Sequence, residues 1–236
     1  MESFTALLLA GGDDACRRRL DEVVALLTGV IYSPVTGAGT PQFSPDWRPA
    51  PQIKFDIIWG WDRIDPQGVK AHATDNFSYG HDMEFFWLLL AALRALKLCH
   101  GGHLPLIQAI LDRTLAFGID QAHGGVYVEG PVRGEAHDRQ KEFWQQAETL
   151  IGLLEAYRVF REECFLEAYA LVHRFVFERM IAHDLGEWLP LLERDGTPVW
   201  THMGTSWKIN YHTVRCALLC IKRIDEILVS LPQASA

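Results

Sequence analysis

Residues 78–90 read SYGHDMEFFWLLL, and this stretch decides how the rest of the chain is interpreted. Polar groups come first, and the apolar run that follows them continues to Leu96. On a helix, His81 and Glu84 share a face because they are three residues apart. A helix that is apolar on nearly every face lies in the interior of a protein. The stretch therefore predicts a buried helix that holds a histidine and a carboxylate at its N-terminal end.

The same pattern occurs twice more along the chain. Polar residues precede an apolar run near Trp144, 63 residues after His81, and again near His212, 68 residues after Trp144. Helical hairpins that repeat at a long, loose period indicate a helical solenoid or an α/α toroid. In a toroid the inner helices all point the same way. The repeat therefore predicts three polar clusters at one rim.

The remaining segments favour an all-α fold of about seven helices, with small β hairpins in the loops. The predicted helices cover residues 3–10, 13–28, 78–100, 104–117, 141–160, 162–181 and 211–231. Residues 31–77 are rich in proline and glycine and include a β-like run at 55–59. Residues 118–130 suit a short hairpin, and residues 184–207 form another turn-rich loop. We expect a single domain over residues 1–236.

Composition excludes several classes of partner. The formal net charge is −8 and no basic surface is evident, which argues against nucleic-acid binding. No apolar stretch is long enough to span a bilayer, and the N-terminus lacks the basic region of a signal peptide. The five cysteines are interpreted as reduced core residues of a cytoplasmic protein. Cys216 and Cys220 have no further metal ligands nearby in sequence, so we predict no metal site.

Three polar clusters carry the candidate chemistry. They comprise His81 and Glu84; Lys141, Trp144, Gln146 and Glu148; and Trp207, Lys208, Tyr211, His212 and Arg215. Imidazole titrates near neutral pH, so two histidines with carboxylate neighbours suit proton abstraction and return. Plainer interpretations stay open for each cluster: a capping histidine, core tryptophans, or a solvated ion pair between Lys141 and Glu148.

Four motifs stand out along the chain: SYGHDMEFFWLL from residue 78, DQAHGGVY from 120, KEFWQQAE from 141 and WKINYHTVR from 207. Together they resemble the N-acylglucosamine 2-epimerase superfamily, and most of all its cellobiose 2-epimerase branch. The resemblance implies a partial (α/α)6 barrel and a cofactor-independent sugar 2-epimerase or aldose–ketose isomerase. It also implies a substrate that is a reducing mono- or disaccharide, such as cellobiose, mannose or an N-acylglucosamine.

The resemblance further implies roles for seven residues. His81 and His212 match the acid/base pair that moves the C2 proton of the ring-opened sugar through a cis-enediolate. The remaining five are expected to bind substrate, and Glu84 also to support His81: Glu84, Trp144, Glu148, Trp207 and Arg215.

The chain also departs from the family pattern. It matches only a C-terminal part of the family, and residues 3–10 lack the histidine and glutamate of the family's upstream motif. An open barrel would expose apolar helix edges, so we expect a homo-oligomer or a partner that covers them. Two other functions remain open: a glycoside hydrolase on a similar barrel, which uses a carboxylate pair, and an inactive remnant that binds a sugar or a partner.

Overall fold

A computed structural model of the protein describes residues 1–49, 76–205 and 208–230. Seven α-helices dominate these residues, which confirms the predicted all-α class. They are α1 (Glu2–Leu9), α2 (Asp14–Leu26), α3 (Tyr79–Leu96), α4 (Leu104–Arg113), α5 (Phe143–Phe160), α6 (Glu163–Phe175) and α7 (Tyr211–Ser230). None of the helices in the described residues is both long enough and apolar enough to cross a membrane.

The connections contain short strands of two or three residues. They are β1 (Tyr32–Ser33), β2 (Ala38–Gly39), β3 (Phe77–Ser78), β4 (Glu129–Gly130), β5 (Lys141–Glu142), β6 (Ile181–Ala182), β7 (Glu187–Trp188), β8 (Leu191–Leu192) and β9 (Pro198–Trp200). All pairings are antiparallel: β1 with β2, β3 with β4, β6 with β7, and β8 with both β5 and β9. These small sheets brace the loops and leave the core to the helices.

The first of two compact units contains residues 1–118 and 127–139. Its central helix is α3, against which α1, α2 and α4 pack. Met83, Phe86 and Leu89 of α3 are completely buried. Ser78 caps the helix, because its side chain accepts a hydrogen bond from the backbone N–H of His81. The predicted buried helix, with His81 in its first turn, is therefore present.

The second compact unit contains residues 119–126 and 140–236. Its central helix is α5, which is buried at every position from Gln145 to Tyr157 and packs against α6 and α7. Buried polar groups in such a helix need partners. Glu155 finds one on α7, since the Nε of Arg223 lies 2.8 Å from its Oε2. The expectation of a single domain over the whole chain stays a prediction.

Several predicted helix boundaries are wrong. α5 begins at Phe143, because Lys141 and Glu142 pair with β8 as a strand. The predicted helices at 104–117 and 162–181 each end earlier, at Arg113 and Phe175, and continue as one π-helical turn. Apolar spacing alone does not separate a π-helical turn from an α-helix.

The loop predictions had mixed outcomes. Within residues 118–130, Ile119 and Val126 form an isolated bridge. Glu129 and Gly130 instead pair with residues outside the segment, because β4 pairs with β3 and Glu129 also bridges to Asp138. β1 and β2 form one of the small hairpins predicted for the loops, whereas the β-like run at 55–59 lies outside the described residues.

The five cysteines are free, as predicted, but they are not all core residues. Cys16, Cys216 and Cys220 are buried, whereas Cys99 and Cys164 are exposed.

An exposed apolar stripe runs along α7. Val214, Leu218, Ile221 and Leu228 are 50%, 64%, 61% and 60% exposed, at a spacing that places them on one face. Part of this stripe lines an open, mainly apolar cavity of about 540 Å³. The stripe agrees with the expectation of exposed apolar helix edges, and the oligomer or partner that would cover it stays a prediction.

Candidate active site

His212 and Glu148 form the centre of the candidate site in the second unit. His212 lies in the first turn of α7, and its Nδ1 is 2.6 Å from Oε1 of Glu148 on α5. Glu148 is completely buried, whereas the His212 side chain is 22% exposed. An ionised carboxylate only accepts hydrogen bonds, so this contact assigns a proton to Nδ1. Nε2 then keeps its lone pair in the neutral imidazole, which is the form that acts as a general base.

Arg215 shares the same carboxylate. Its Nη2 lies 2.5 Å from Oε1 of Glu148, and its Nη1 donates to the hydroxyl of Tyr211. The guanidinium also stacks over the Tyr211 ring, with 4.3 Å between its central carbon and the ring centroid. A buried carboxylate needs such a counter-charge to stay ionised. Arg215 therefore supports Glu148, an interaction that the sequence did not predict.

Aromatic rings surround the imidazole of His212. The ring centroid of Trp144 is 5.6 Å away, that of Phe143 is 6.2 Å away, and that of Tyr211 is 4.9 Å away. Trp144 is only half-buried, so it is not the plain core residue of the alternative interpretation. The apolar C–H face of a sugar can pack on an aromatic ring of this kind. Trp207, the other predicted tryptophan of the site, lies outside the described residues.

His81 and Glu84 occupy the first two turns of α3 in the first unit. The His81 side chain is exposed and Glu84 is half-buried. The backbone carbonyl of His81 accepts a hydrogen bond of 3.2 Å from the Tyr32 hydroxyl. The predicted histidine and carboxylate thus share one end of α3, and their assigned roles stay predictions.

Lys141 belongs to a different set of contacts from the one predicted. It is completely buried, and its Nζ lies 3.2 Å from Oδ2 of Asp120 and 2.7 Å from the carbonyl oxygen of Gly124. Burial lowers the pKa of Lys141 to about 8, although the charge of Asp120 opposes this shift. The suggested solvated ion pair between Lys141 and Glu148 is therefore wrong, because both groups are buried and each has another partner.

Two further polar residues of the predicted clusters hold loops in place. Gln146 makes two hydrogen bonds to the backbone of Val126, one as acceptor at 2.7 Å and one as donor at 2.8 Å. Lys208 is buried, and its Nζ contacts the carbonyl of Met203 at 2.8 Å and Glu187 at 3.2 Å. These contacts give both residues a structural role.

Sequence reasoning missed five buried charged residues: Asp82, Arg113, Asp120, Glu155 and Arg223. Arg113 carries a signal that could have revealed it. Leu106, Ile110 and Arg113 keep the spacing of the apolar face of α4, so the arginine occupies a core position. Charged residues are almost never fully buried unless they are paired, so a partner is required. Its distant partner, Asp82, has no comparable signal.

Replacing Asp120 with asparagine is expected to destabilise the second unit in a pH-dependent way. Burial alone would raise the pKa of Asp120, but hydrogen bonds from Arg194, the charge of Lys141 and the backbone of His123 lower it overall. A carboxyl group with a lowered pKa stabilises the folded state above its unfolded-state pKa, and this contribution is lost as the pH falls through the folded-state pKa. At pH 7 we expect the free energy of unfolding to drop by about 3–5 kcal/mol.

Urea unfolding at pH 7, 5 and 3 measures this effect, with D184N, a change at an exposed aspartate, as the control. The difference between wild type and D120N should shrink below pH 4 or so, the usual range of an aspartate. A difference of the same size at all three pH values would contradict the proposed ionic role of Asp120.

The chain is similar to known proteins over most of its length. The family model for N-acylglucosamine 2-epimerase (GlcNAc 2-epimerase) matches residues 1–216. The cellobiose 2-epimerase of Dictyoglomus turgidum is 26% identical over 231 residues, which are 95% of this chain and 51% of that protein. The N-acylglucosamine 2-epimerase of Bos taurus is 27% identical over 165 residues, covering 66% of this chain and 38% of the relative.

A solved structure gives the same result. The cellobiose 2-epimerase of Spirochaeta thermophila matches with a TM-score of 0.77 and 26% identity, over 96% of this chain and 51% of that one. The match confirms the predicted fold class, that of a partial (α/α)6 barrel. The chain thus spans about half the length of the relatives that it matches most fully.

Proposed function

Since the chain belongs to the N-acylglucosamine 2-epimerase family, we propose that it moves the C2 proton of a reducing mono- or disaccharide, as a sugar 2-epimerase or aldose–ketose isomerase. The single observation that carries this proposal is the buried Glu148 carboxylate at 2.6 Å from Nδ1 of His212. Because Nδ1 is hydrogen-bonded to Glu148, Nε2 is the ring nitrogen that can take a proton from a sugar. The half-buried Trp144 beside it offers an apolar face on which the sugar can pack.

The chemistry begins with the ring-opened aldose, whose C2–H is acidic because it lies next to the C1 carbonyl. Nε2 of His212 takes the C2 proton, the electron pair of the C–H bond forms a C1=C2 double bond, and the π pair of the carbonyl moves to O1 to give a cis-enediolate. A proton returned to C2 from the opposite face yields the epimer. A proton returned to C1, together with transfer of the O2 hydroxyl proton to O1, yields the ketose. Both outcomes require an acid and a base but no net oxidation.

Glu148 and Arg215 adjust the charge of this site as the proton moves. When His212 becomes an imidazolium, the neighbouring carboxylate stabilises its charge, as an orienting carboxylate does for other catalytic histidines. Arg215 contacts the same carboxylate oxygen and balances its charge before the proton arrives. In this scheme Arg215 acts through Glu148, and Trp144 provides a face on which the sugar packs.

His81 is proposed as the second acid/base residue, and Glu84 as its supporting carboxylate. The proposal rests on their positions in the motif at residues 78–90 and on their placement in the first two turns of α3. The positive end of a helix dipole at that position favours an anionic intermediate such as an enediolate.

Incubating the chain with cellobiose, mannose or N-acetylglucosamine in deuterated water tests the proposal. We expect the proton NMR signal of H2 to disappear from at least one sugar, with a matching mass increase and the appearance of an epimer or ketose. If the folded chain leaves H2 intact in all three sugars, the proposed activity of this chain is refuted.

A further inference from the structure

Asp82 directly follows His81 but points into the protein. Its side chain is buried, and both of its carboxylate oxygens accept hydrogen bonds. Oδ1 accepts from the backbone N–H of Gly39 at 3.1 Å, and Oδ2 accepts from Nη1 of Arg113 at 2.6 Å. This one carboxylate therefore joins the first turn of α3 to β2 and to α4.

Arg113 extends the connection to three more backbone positions. Its guanidinium donates to the carbonyl oxygens of Phe77 at 3.3 Å, Gly130 at 3.1 Å and Pro131 at 3.1 Å. It also lies 4.3 Å from the centroid of the Tyr79 ring. Since the guanidinium is planar and rigid, these contacts fix one orientation of the surrounding backbone. β3, β4 and the start of α3 are all held by this side chain.

The backbone of His81 is held on two other sides as well. Its N–H donates to the Ser78 side chain at 3.3 Å, and its carbonyl accepts from the Tyr32 hydroxyl. The Tyr32 ring stacks on Phe85 one turn further along, with 3.7 Å between the centroids. Successive residues of an α-helix project about 100° apart, so the inward direction of Asp82 sets the outward direction of His81.

We infer that Asp82 and Arg113 are a positioning pair that fixes the first turn of α3 and thereby the direction of the His81 imidazole. This inference rests on the proposed role of His81 in proton transfer. A catalytic group displaced by about 1 Å can lose roughly 100-fold in rate, so a rigid first turn has a direct effect on turnover.

Stability alone does not account for this pair. A buried ion pair is often no more stabilising than apolar residues of the same volume. Burial raises the pKa of Asp82 to about 7, with Arg113 and the N–H of Gly39 acting in the opposite direction. The ionised carboxyl group of Asp82 thus lies in an unfavourable environment. An apolar residue at this position would avoid that cost, but it could not make the two directional hydrogen bonds to Gly39 and Arg113.

The test compares D82N with I107A, which removes apolar volume from a fully buried position of α4 and leaves every charged group in place. D82N should lower kcat for C2 exchange by about 100-fold with KM unchanged. In protein labelled with ¹⁵N-histidine, it should also shift or broaden the ring signals of His81, which are assigned from their loss in H81Q. I107A should reduce the melting temperature without either effect.

The inference is overturned if D82N leaves the His81 signals in place and its kcat per folded molecule equals that of I107A. If D82N does not fold, R113K provides the same two readouts, because it keeps the charge but loses the forked donor geometry. A wild-type chain with no exchange activity would refute the proposed function, whereas the His81 signals in D82N would still decide the positioning role.

Discussion

Replacing His212 with glutamine is expected to lower the rate of C2 proton exchange by roughly 1,000-fold, the middle of the range that a positioned acid or base contributes. Glutamine keeps a polar group near Glu148 but has no nitrogen that accepts a proton near neutral pH. The loss should therefore fall on kcat, while sugar binding on Trp144 and the other rings is retained. Exchange at C2 in deuterated water, measured over a range of sugar concentrations, separates the two parameters.

H183Q is the matched control for this variant. His183 lies in the same compact unit but on an exposed turn, and its Nε2 lies 2.7 Å from the backbone carbonyl oxygen of Phe177. We expect its exchange rate to equal that of wild type. Full turnover in H212Q would refute the histidine mechanism and would favour the carboxylate pair of a glycoside hydrolase.

The second large effect is expected for E148Q. The amide cannot supply the negative charge that holds Nδ1 of His212 and balances Arg215, so we expect kcat to fall by about 100-fold or more. The partly buried guanidinium of Arg215 also loses its counter-charge at a fully buried position of α5, which should lower the free energy of unfolding by about 3–5 kcal/mol. Exchange assays below the melting temperature, normalised to folded protein, keep these two losses apart.

Glu155 provides an unusually close control for Glu148. It lies seven residues further along α5, is 1% exposed, and pairs with two arginines, Arg158 of α5 and Arg223 of α7. E155Q should therefore lose stability to a similar degree and keep its kcat. If E155Q and E148Q lose kcat equally, Glu148 has no specific role in catalysis.

A double variant tests whether Glu148 acts through His212. If it does, H212Q/E148Q should be no slower than H212Q alone, because residues that act as a unit are not additive. Losses that multiply would show that the carboxylate contributes to proton transfer independently of the imidazole.

The helices of this protein could be predicted from sequence because α3 and α5 are apolar over long runs. Their polar first turns also pointed to the candidate site, and His212 and Glu148 indeed meet although 64 residues separate them. The roles of the charged neighbours could not be predicted in the same way. A lysine before an apolar run has the same local pattern whether it faces a sugar or, like Lys141, a buried aspartate.

The partners of these charged residues lie on segments that are distant in sequence. Asp82 lies within residues 78–90, the stretch that predicts the buried helix, but its partner Arg113 is 31 residues away on another helix. Likewise, Arg215 matched a motif position for substrate binding, and only the structure shows it on Glu148. Local spacing gives the elements, whereas ionic partners depend on how those elements pack.

Asp120 joins three segments of the second unit, because Lys141 and Arg194 both contact it. Neither the turn that begins at Asp120 nor the loop that carries Arg194 can open without breaking a contact to the same carboxylate. Local unfolding of the two segments should therefore be cooperative. Native-state amide hydrogen exchange in both segments would then report one common opening free energy.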